Sequence, residues 1–283
     1  MKLDVDGRTA YAYTGGKPFD ATLPCVVFVH GALNDHSVWT LLARWFAHHG
    51  HGVLAVDLPG HGRSDGPPPP SIEAAADWLL TLLEAAGTAR AAFVGHSMGS
   101  LIALEAAARA PGCATQLALI GTAYPMKVSA ALLAAARERP LAAIDMVNAY
   151  SLSTIAAKPS FPGPGMWLHG SSRALMRRTL AGPSGLDPDG GVNLFEHDFR
   201  LCDGYGGGLE AAARVRCPAQ LILGTRDQMT PPKAARELAT ALRAGTTLLA
   251  SGHHLMAEVP DALLGALRQA LAARARSNAG GAA

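Results

Sequence analysis

The sequence predicts an α/β fold: a mostly parallel sheet of about eight strands, flanked by helices, with a helical cap. Three observations predict it. Short apolar runs, such as Cys25-Val26-Val27-Phe28-Val29 and Val53-Leu54-Ala55-Val56, alternate with longer stretches of helical spacing. These runs are apolar throughout rather than at every second residue, the pattern of strands covered on both faces. The rhythm stops near Gly121 and resumes at Gln220-Leu221-Ile222-Leu223, so a helical segment interrupts a single sheet.

The elements follow in order. Leu3-Asp4-Val5 and residues 8–13 alternate like half-buried strands and are joined by Asp6-Gly7, a dipeptide that accepts positive φ, so the chain opens with a hairpin. The run 25–29 precedes a helix over 38–48. The run 53–56 precedes a Gly/Pro-rich loop and a helix over 72–86. The run 91–94 precedes a helix over 100–110, and 117–120 is the next strand. From 122 to 214 no buried strand is evident. Helices are predicted there at 130–139, 141–150, 172–180 and 194–202, with Pro159, Pro162, Pro164, Pro183 and Pro188 dividing them. Strands 220–223 and 246–250 then alternate with helices 233–243 and 262–274. Thr230 is the expected N-cap of the first of these, with Pro231 at its first position. The resulting organisation is a core of residues 1–121 and 215–276, a cap of residues 122–214 acting as a lid, and a flexible tail, 277–283.

Composition narrows the function. The chain has 283 residues, 49% hydrophobic and 16% charged, enough for a large core. A net charge of +2 with scattered Lys and Arg argues against a nucleic-acid partner. Cys25, Cys113, Cys202 and Cys217 are far apart, without CxxC spacing, and are expected as buried free thiols. The first residues include Asp4 and Asp6 and lack the apolar segment of a signal peptide, and no apolar stretch is long enough for a membrane span. A cytoplasmic protein with no membrane partner is expected.

The chemistry centres on Gly95-His96-Ser97-Met98-Gly99, between an apolar strand and an Ala/Leu-rich helix. A serine at such a turn is held in a strained conformation with its hydroxyl lifted clear of the sheet. Its flanking glycines allow strand and helix to approach closely. Serine is a weak nucleophile near neutrality and needs a base and oxyanion donors. In open parallel sheets such groups gather after the carboxyl ends of strands. After the first parallel strand comes His30-Gly31-Ala32, where the Ala32 N–H joins that of Met98 as an oxyanion donor and His30 is structural. Asp57 and His61 lie in a rigid loop and are read as structural. Asp227 is placed to orient a histidine, and His253 or His254 follows the last strand as the base. The order Ser, Asp, His is that of a nucleophile-elbow triad. The histidines are scattered and no carboxylate-rich ligand cluster is evident, so neither a metal nor a cofactor is expected.

In these segments the chain resembles the α/β-hydrolase superfamily over nearly its whole length. The matching stretches are His30-Gly31, Asp57-Leu58-Pro59-Gly60-His61-Gly62-Arg63-Ser64, Gly95 to Gly99, Gly224-Thr225-Arg226-Asp227, and Gly252-His253 with Glu258 and Pro260. The resemblance implies a cap between the sixth and seventh strands. It also implies His253 rather than His254 as the base, because Glu258 and Pro260 stand five and seven residues after it. Ser97 at the nucleophile position sets the chain apart from epoxide hydrolases and haloalkane dehalogenases of this fold, which carry Asp there. What the resemblance implies is a serine hydrolase of a small carboxylic ester or lactone. Alternatives are a cofactor-free perhydrolase or haloperoxidase with the same triad, and a non-catalytic binding member. Substrate contacts are expected from Leu33, His36, Tyr124, Met126, Tyr150, Trp167 and His254, with Met146, Phe161, Met166 and Phe195 also available in the cap.

Overall fold

The apolar runs form the middle of an eight-stranded sheet in the order β1-β2-β4-β3-β5-β6-β7-β8. The strands are β1 (Lys2–Val5), β2 (Arg8–Tyr13), β3 (Cys25–Val29), β4 (Gly52–Val56), β5 (Ala91–His96), β6 (Ala114–Ile120), β7 (Ala219–Gly224) and β8 (Gly245–Leu249). The structure is a computed structural model that describes residues 1–153, 166–182 and 193–272. Phe161, the tail 277–283 and the side chains of Met166 and Trp167 lie outside the described residues. β1 and β2 pair antiparallel through Asp6 and Gly7, whose φ values of 52° and 74° suit a tight hairpin turn. β2 pairs antiparallel with β4, and every later pairing is parallel.

Every residue of β3, β4 and β5 is buried, because helices cover both faces. Alternate residues serve opposite layers. Val26, Phe28, Val53, Ala55 and Val94 face α1 (Thr40–His48) and α11 (Pro260–Ala272). Val27, Val29, Leu54, Val56 and Phe93 face α2 (Ile72–Ala85) and α3 (Met98–Arg109). Trp39 is fully buried against Phe28. The edge strand β8 is largely exposed, since no described strand pairs beyond it.

Between β6 and β7 lie α4 (Ala130–Glu138), α5 (Pro140–Ser151), α6 (Met166–Leu180), α7 (Leu194–Gly204) and α8 (Gly208–Arg214). Ser129 caps α4 by accepting the Leu132 N–H, and Asn193 caps α7 by accepting that of Glu196. α4 to α7 share a hydrophobic cluster that includes Leu132, Ile144, Met176, Phe195 and one residue of the core, Leu33. α8, unforeseen in the sequence, packs on α3.

Several boundaries differ from expectation. The helix expected at 38–48 opens with a 3₁₀ turn, His36–Trp39, because Asp35 accepts the Ser37 N–H at 2.8 Å and starts it early. The helix expected at 233–243 is a 3₁₀ turn, Pro232–Ala235, followed by α9 (Arg236–Ala241). Its N-cap is Pro231, not Thr230, whose hydroxyl is engaged with Asp227 and Gly121 instead. A short α10 (Leu255–Glu258) precedes α11. All four cysteines are free, but only Cys25 and Cys202 are buried; Cys113 and Cys217 are partly exposed. No described helix is long and apolar enough to cross a membrane.

Candidate active site

β5 runs into α3 through Ser97, whose φ of 52° and ψ of −122° lie outside the regions open to most residues. Such a conformation costs on the order of 1–3 kcal/mol and survives only where its surroundings enforce it. Here the Ser97 N–H donates to Ile120 O at 3.0 Å, and the Ser100 N–H returns to Ser97 O at 2.8 Å. The flanking glycines are sterically required. A Cβ on Gly95 would run into the Gly99 carbonyl, and one on Gly99 into the carbonyls of Val29 and His30.

Asp227 follows β7. Its Oδ1 accepts the N–H groups of Met229 and Thr230, each at 2.8 Å. Its Oδ2 accepts His253 Nδ1–H at 2.8 Å and the Thr230 hydroxyl at 2.7 Å. Burial opposes the charge, but the His253 ring and the Thr230 donors prevail and hold the Asp227 carboxyl well below the usual carboxylate range. With Nδ1 bound to Asp227, Nε2 is the free basic position of His253.

The backbone of His253 is fixed on both sides. Its N–H donates to Ser151 O at 2.7 Å, and His96 Nε2–H donates to its carbonyl at 2.9 Å. Glu258 braces the same loop by accepting the N–H groups of Gly252 and Ser153, each at 3.0 Å. Burial and the neighbouring His253 and His254 keep His96 neutral, far below its ordinary value. His254 is likewise pushed down to about 4 by burial and by His253.

Ser97 and His253 line one cavity of about 300 Å³. Gly31 passes so close that a Cβ there would stand 3.1 Å from Ser97 Cβ, and this brings Ala32 onto the cavity wall. Met98 opens α3, so its N–H has no acceptor within the helix. Met126, Val128, Leu132, Met146, Val147, Met176, Phe199 and Met229 make the wall mostly apolar, with Tyr150 and His254 also on it. Cys202 lines it too, but burial and then the Asp198 charge raise its thiol pKa and keep it protonated.

Other expected contacts fall elsewhere. Leu33 is buried in the cluster of α4 to α7. His36 opens on a separate polar cleft, because its ring and its N–H both bond Asp57 Oδ1, at 2.8 and 2.7 Å. Tyr124 packs on Gly208 and Tyr205 and donates to Gly206 O. Phe195 is wholly buried among the inserted helices. Asp57 also accepts the Arg63 N–H at 2.9 Å, which braces its own loop. His30 donates from Nδ1 to Gly31 O and accepts the Leu58 N–H at Nε2. Among the described residues, Asp35, His36 and Asp57 bring metal-ligand atoms within 4.8 Å of one another, but these atoms already bond each other or Arg178.

The profile described as the Alpha/beta hydrolase family matches residues 26–266. The chain belongs to this family. A pimeloyl-[acyl-carrier protein] methyl ester esterase of Chromobacterium violaceum is 35% identical over 229 residues, covering 77% of this chain and 82% of that protein. An esterase of Mycobacterium tuberculosis, Rv0045c, is 26% identical and covers 89% of this chain and 84% of its own. The enol-lactonase of Burkholderia xenovorans superposes with a TM-score of 0.78 at 23% identity, covering 96% of this chain and all of that one (100%). Est816, an N-acyl homoserine lactone degrading enzyme, gives 0.76 at 21% identity, covering 95% and 99%. At these identities the solved structures bear on the fold. The matched span includes the helices α4 to α8 that lie between β6 and β7.

Proposed function

We propose that this protein is a serine hydrolase of carboxylic esters or lactones. One observation carries the reading: a histidine bonded at 2.8 Å to a buried aspartate shares a cavity with a serine on a strained elbow. Ser97 Oγ attacks the substrate carbonyl carbon while its proton passes to His253 Nε2. The carbonyl oxygen becomes an oxyanion and takes the N–H groups of Ala32 and Met98. Collapse of the tetrahedral species breaks the ester bond, and His253 returns the proton to the leaving alkoxide. Water then attacks the acyl-enzyme and gives a proton to His253; collapse of the second tetrahedral species breaks the bond to Ser97, whose oxygen takes that proton back as the acid leaves. In a lactone the freed hydroxyl stays attached to the acyl group throughout, and both leave together as one hydroxy acid.

The Chromobacterium relative is named for a methyl ester and two superposed enzymes for lactones, which supports this class of substrate. Residues 122–214 serve as a cap in this reading, since α4, α5, α6 and α7 all contribute to the cavity wall. The cavity is at the small end of ligand sites, which run roughly from 300 to 1,000 Å³, so short to medium aliphatic acyl groups fit it best.

A panel of p-nitrophenyl esters from acetate to palmitate, with several lactones, tests the proposal on wild type and Ser97→Ala. Hydrolysis is expected to favour butyrate to octanoate and to fall by about a thousandfold or more in the variant. Retention of most activity in Ser97→Ala would rule out the assigned nucleophile.

A further inference from the structure

We propose that Asp198, on α7 of the helical insertion, is a positioning residue that holds the oxyanion loop in its working geometry; this rests on the serine-hydrolase reading. Leu33 adopts a φ of 53°, a left-handed conformation that a branched side chain rarely takes. Three contacts enforce it. Its side chain is buried among the inserted helices. Its N–H donates to Asp198 Oδ2 at 2.7 Å. The other end of the same peptide plane, Ala32 O, accepts Asn34 Nδ2–H at 3.1 Å. The Ala32 N–H belongs to the preceding peptide plane, whose carbonyl, Gly31 O, accepts from His30 Nδ1 at 2.8 Å and from the Asn34 N–H at 3.3 Å, so both planes that meet at Ala32 are held.

Asp198 is itself locked. It is 1% exposed, and the same Oδ2 accepts His61 Nε2–H at 2.9 Å. The other ring nitrogen of His61 donates to Pro59 O at 3.1 Å. Both ring nitrogens therefore face acceptors, the arrangement of an imidazolium. Burial opposes that charge, but Asp198 outweighs it and raises the His61 pKa. A buried carboxylate requires such a partner. The pair joins the loop after β4 to α7, and the carboxylate carries the tie on to the donor loop beside Ser97. Asp35, one turn further along, is tied to the insertion as well, by Arg178 of α6 at 2.6 Å.

Asp198→Ala, Asp198→Asn and Arg137→Ala test the proposal, with kcat expressed per site titrated to completion by a fluorophosphonate. Arg137 pairs with Glu196 of α7 and does not touch Leu33, so Arg137→Ala reports on general loosening of the helix. A displaced donor costs about a hundredfold in rate. Asp198→Ala is therefore expected to lower kcat per titrated site by about that factor with KM nearly unchanged, and to weaken an aliphatic trifluoromethyl ketone, which forms an oxyanion on Ser97, in proportion. Asp198→Asn keeps an acceptor and should recover most of the loss, while Arg137→Ala should match wild type. A change in active fraction or KM alone, or an Asn variant as impaired as Ala, would overturn the proposal. Should Asp198→Ala fail to fold, Asp198→Asn decides: kcat lowered about threefold to tenfold at constant KM supports the tie, because a neutral acceptor is weaker, and an unchanged kcat overturns it. Wild type that neither labels nor hydrolyses esters would defeat the serine-hydrolase reading instead.

Discussion

At the scale of single residues, His253, the proposed base, is specified by its surroundings more than by its own chemistry. Asp227 spends one oxygen on two backbone N–H groups and the other on His253 and Thr230, so its carboxylate stays charged and its orientation is set. Asp227→Asn would present an amide where a carboxylate is needed and favour the wrong tautomer of His253. A fall in kcat of roughly ten-thousandfold, with KM little changed, is expected from steady-state kinetics on an activated ester. Equal kcat in the two proteins would remove Asp227 from the mechanism. The proposed triad, Ser97, Asp227 and His253, can be picked out of the sequence because each sits beside its own local signature: a glycine-flanked turn, a Gly-Thr-Arg-Asp loop after a strand, and a Gly-His with Glu258 downstream. The partnership of His61 with Asp198 is not legible, since 137 residues separate them. Leu33 and His36 were expected at the entrance because their loop faces the nucleophile. The positive φ of Leu33 turns it into the insertion, and the pull of Asp57 turns His36 away.

At the scale of elements, the elbow depends on backbones meeting without side chains between them. Gly99→Ala would drive a methyl group into the carbonyls of Val29 and His30, and a loss of about 3 kcal/mol is expected in urea unfolding. Gly265, in the interior of α11, has no heavy atom within 4 Å of a built Cβ. Gly265→Ala should therefore stabilise the protein by about 1 kcal/mol through helix propensity alone. Equal effects at the two sites would contradict the close-packing account of the elbow. The inserted helices set the cavity in the same way. Met146 of α5 lies on its wall, and Met146→Trp should shift the acyl preference from octanoate towards acetate by roughly tenfold in kcat/KM. The central strands were readable from runs of Val, Leu and Phe. The start of α6 was not, because His169, Gly170, Ser171 and Ser172 break the apolar pattern that identifies the later part of the helix.

At the scale of the whole molecule, several imidazoles are buried in the neutral form, and this couples folding to pH. His30 and His254 are pushed down to about 4, in each case chiefly by burial, and His96 also lies far below its ordinary value. An unfolded histidine titrates near about 6.5. Between that pH and about 4 the unfolded chain takes up protons that the folded chain refuses, so stability falls as the pH drops through this window. His61 runs the other way: its raised value stabilises the fold below about 6.5, a contribution lost as the pH rises. Three groups against one make the acid loss dominant, and Tm should decline steeply from pH 6.5 to 4. A flat profile would show that these rings are not buried neutral. The parallel sheet with an insertion between β6 and β7 follows from strand rhythm and its interruption. How the insertion grips the core, through Asp198, Arg178 and the Ser151 carbonyl, depends on contacts between distant segments that no local pattern encodes. The central claim is that Ser97 is made nucleophilic by His253, and the rate of covalent labelling by a fluorophosphonate, followed by intact mass, tests it most directly. Wild type is expected to gain a single adduct located on Ser97, and His253→Ala to gain it about a thousandfold more slowly or worse. An adduct on another residue, or the same labelling rate in both proteins, would contradict the claim.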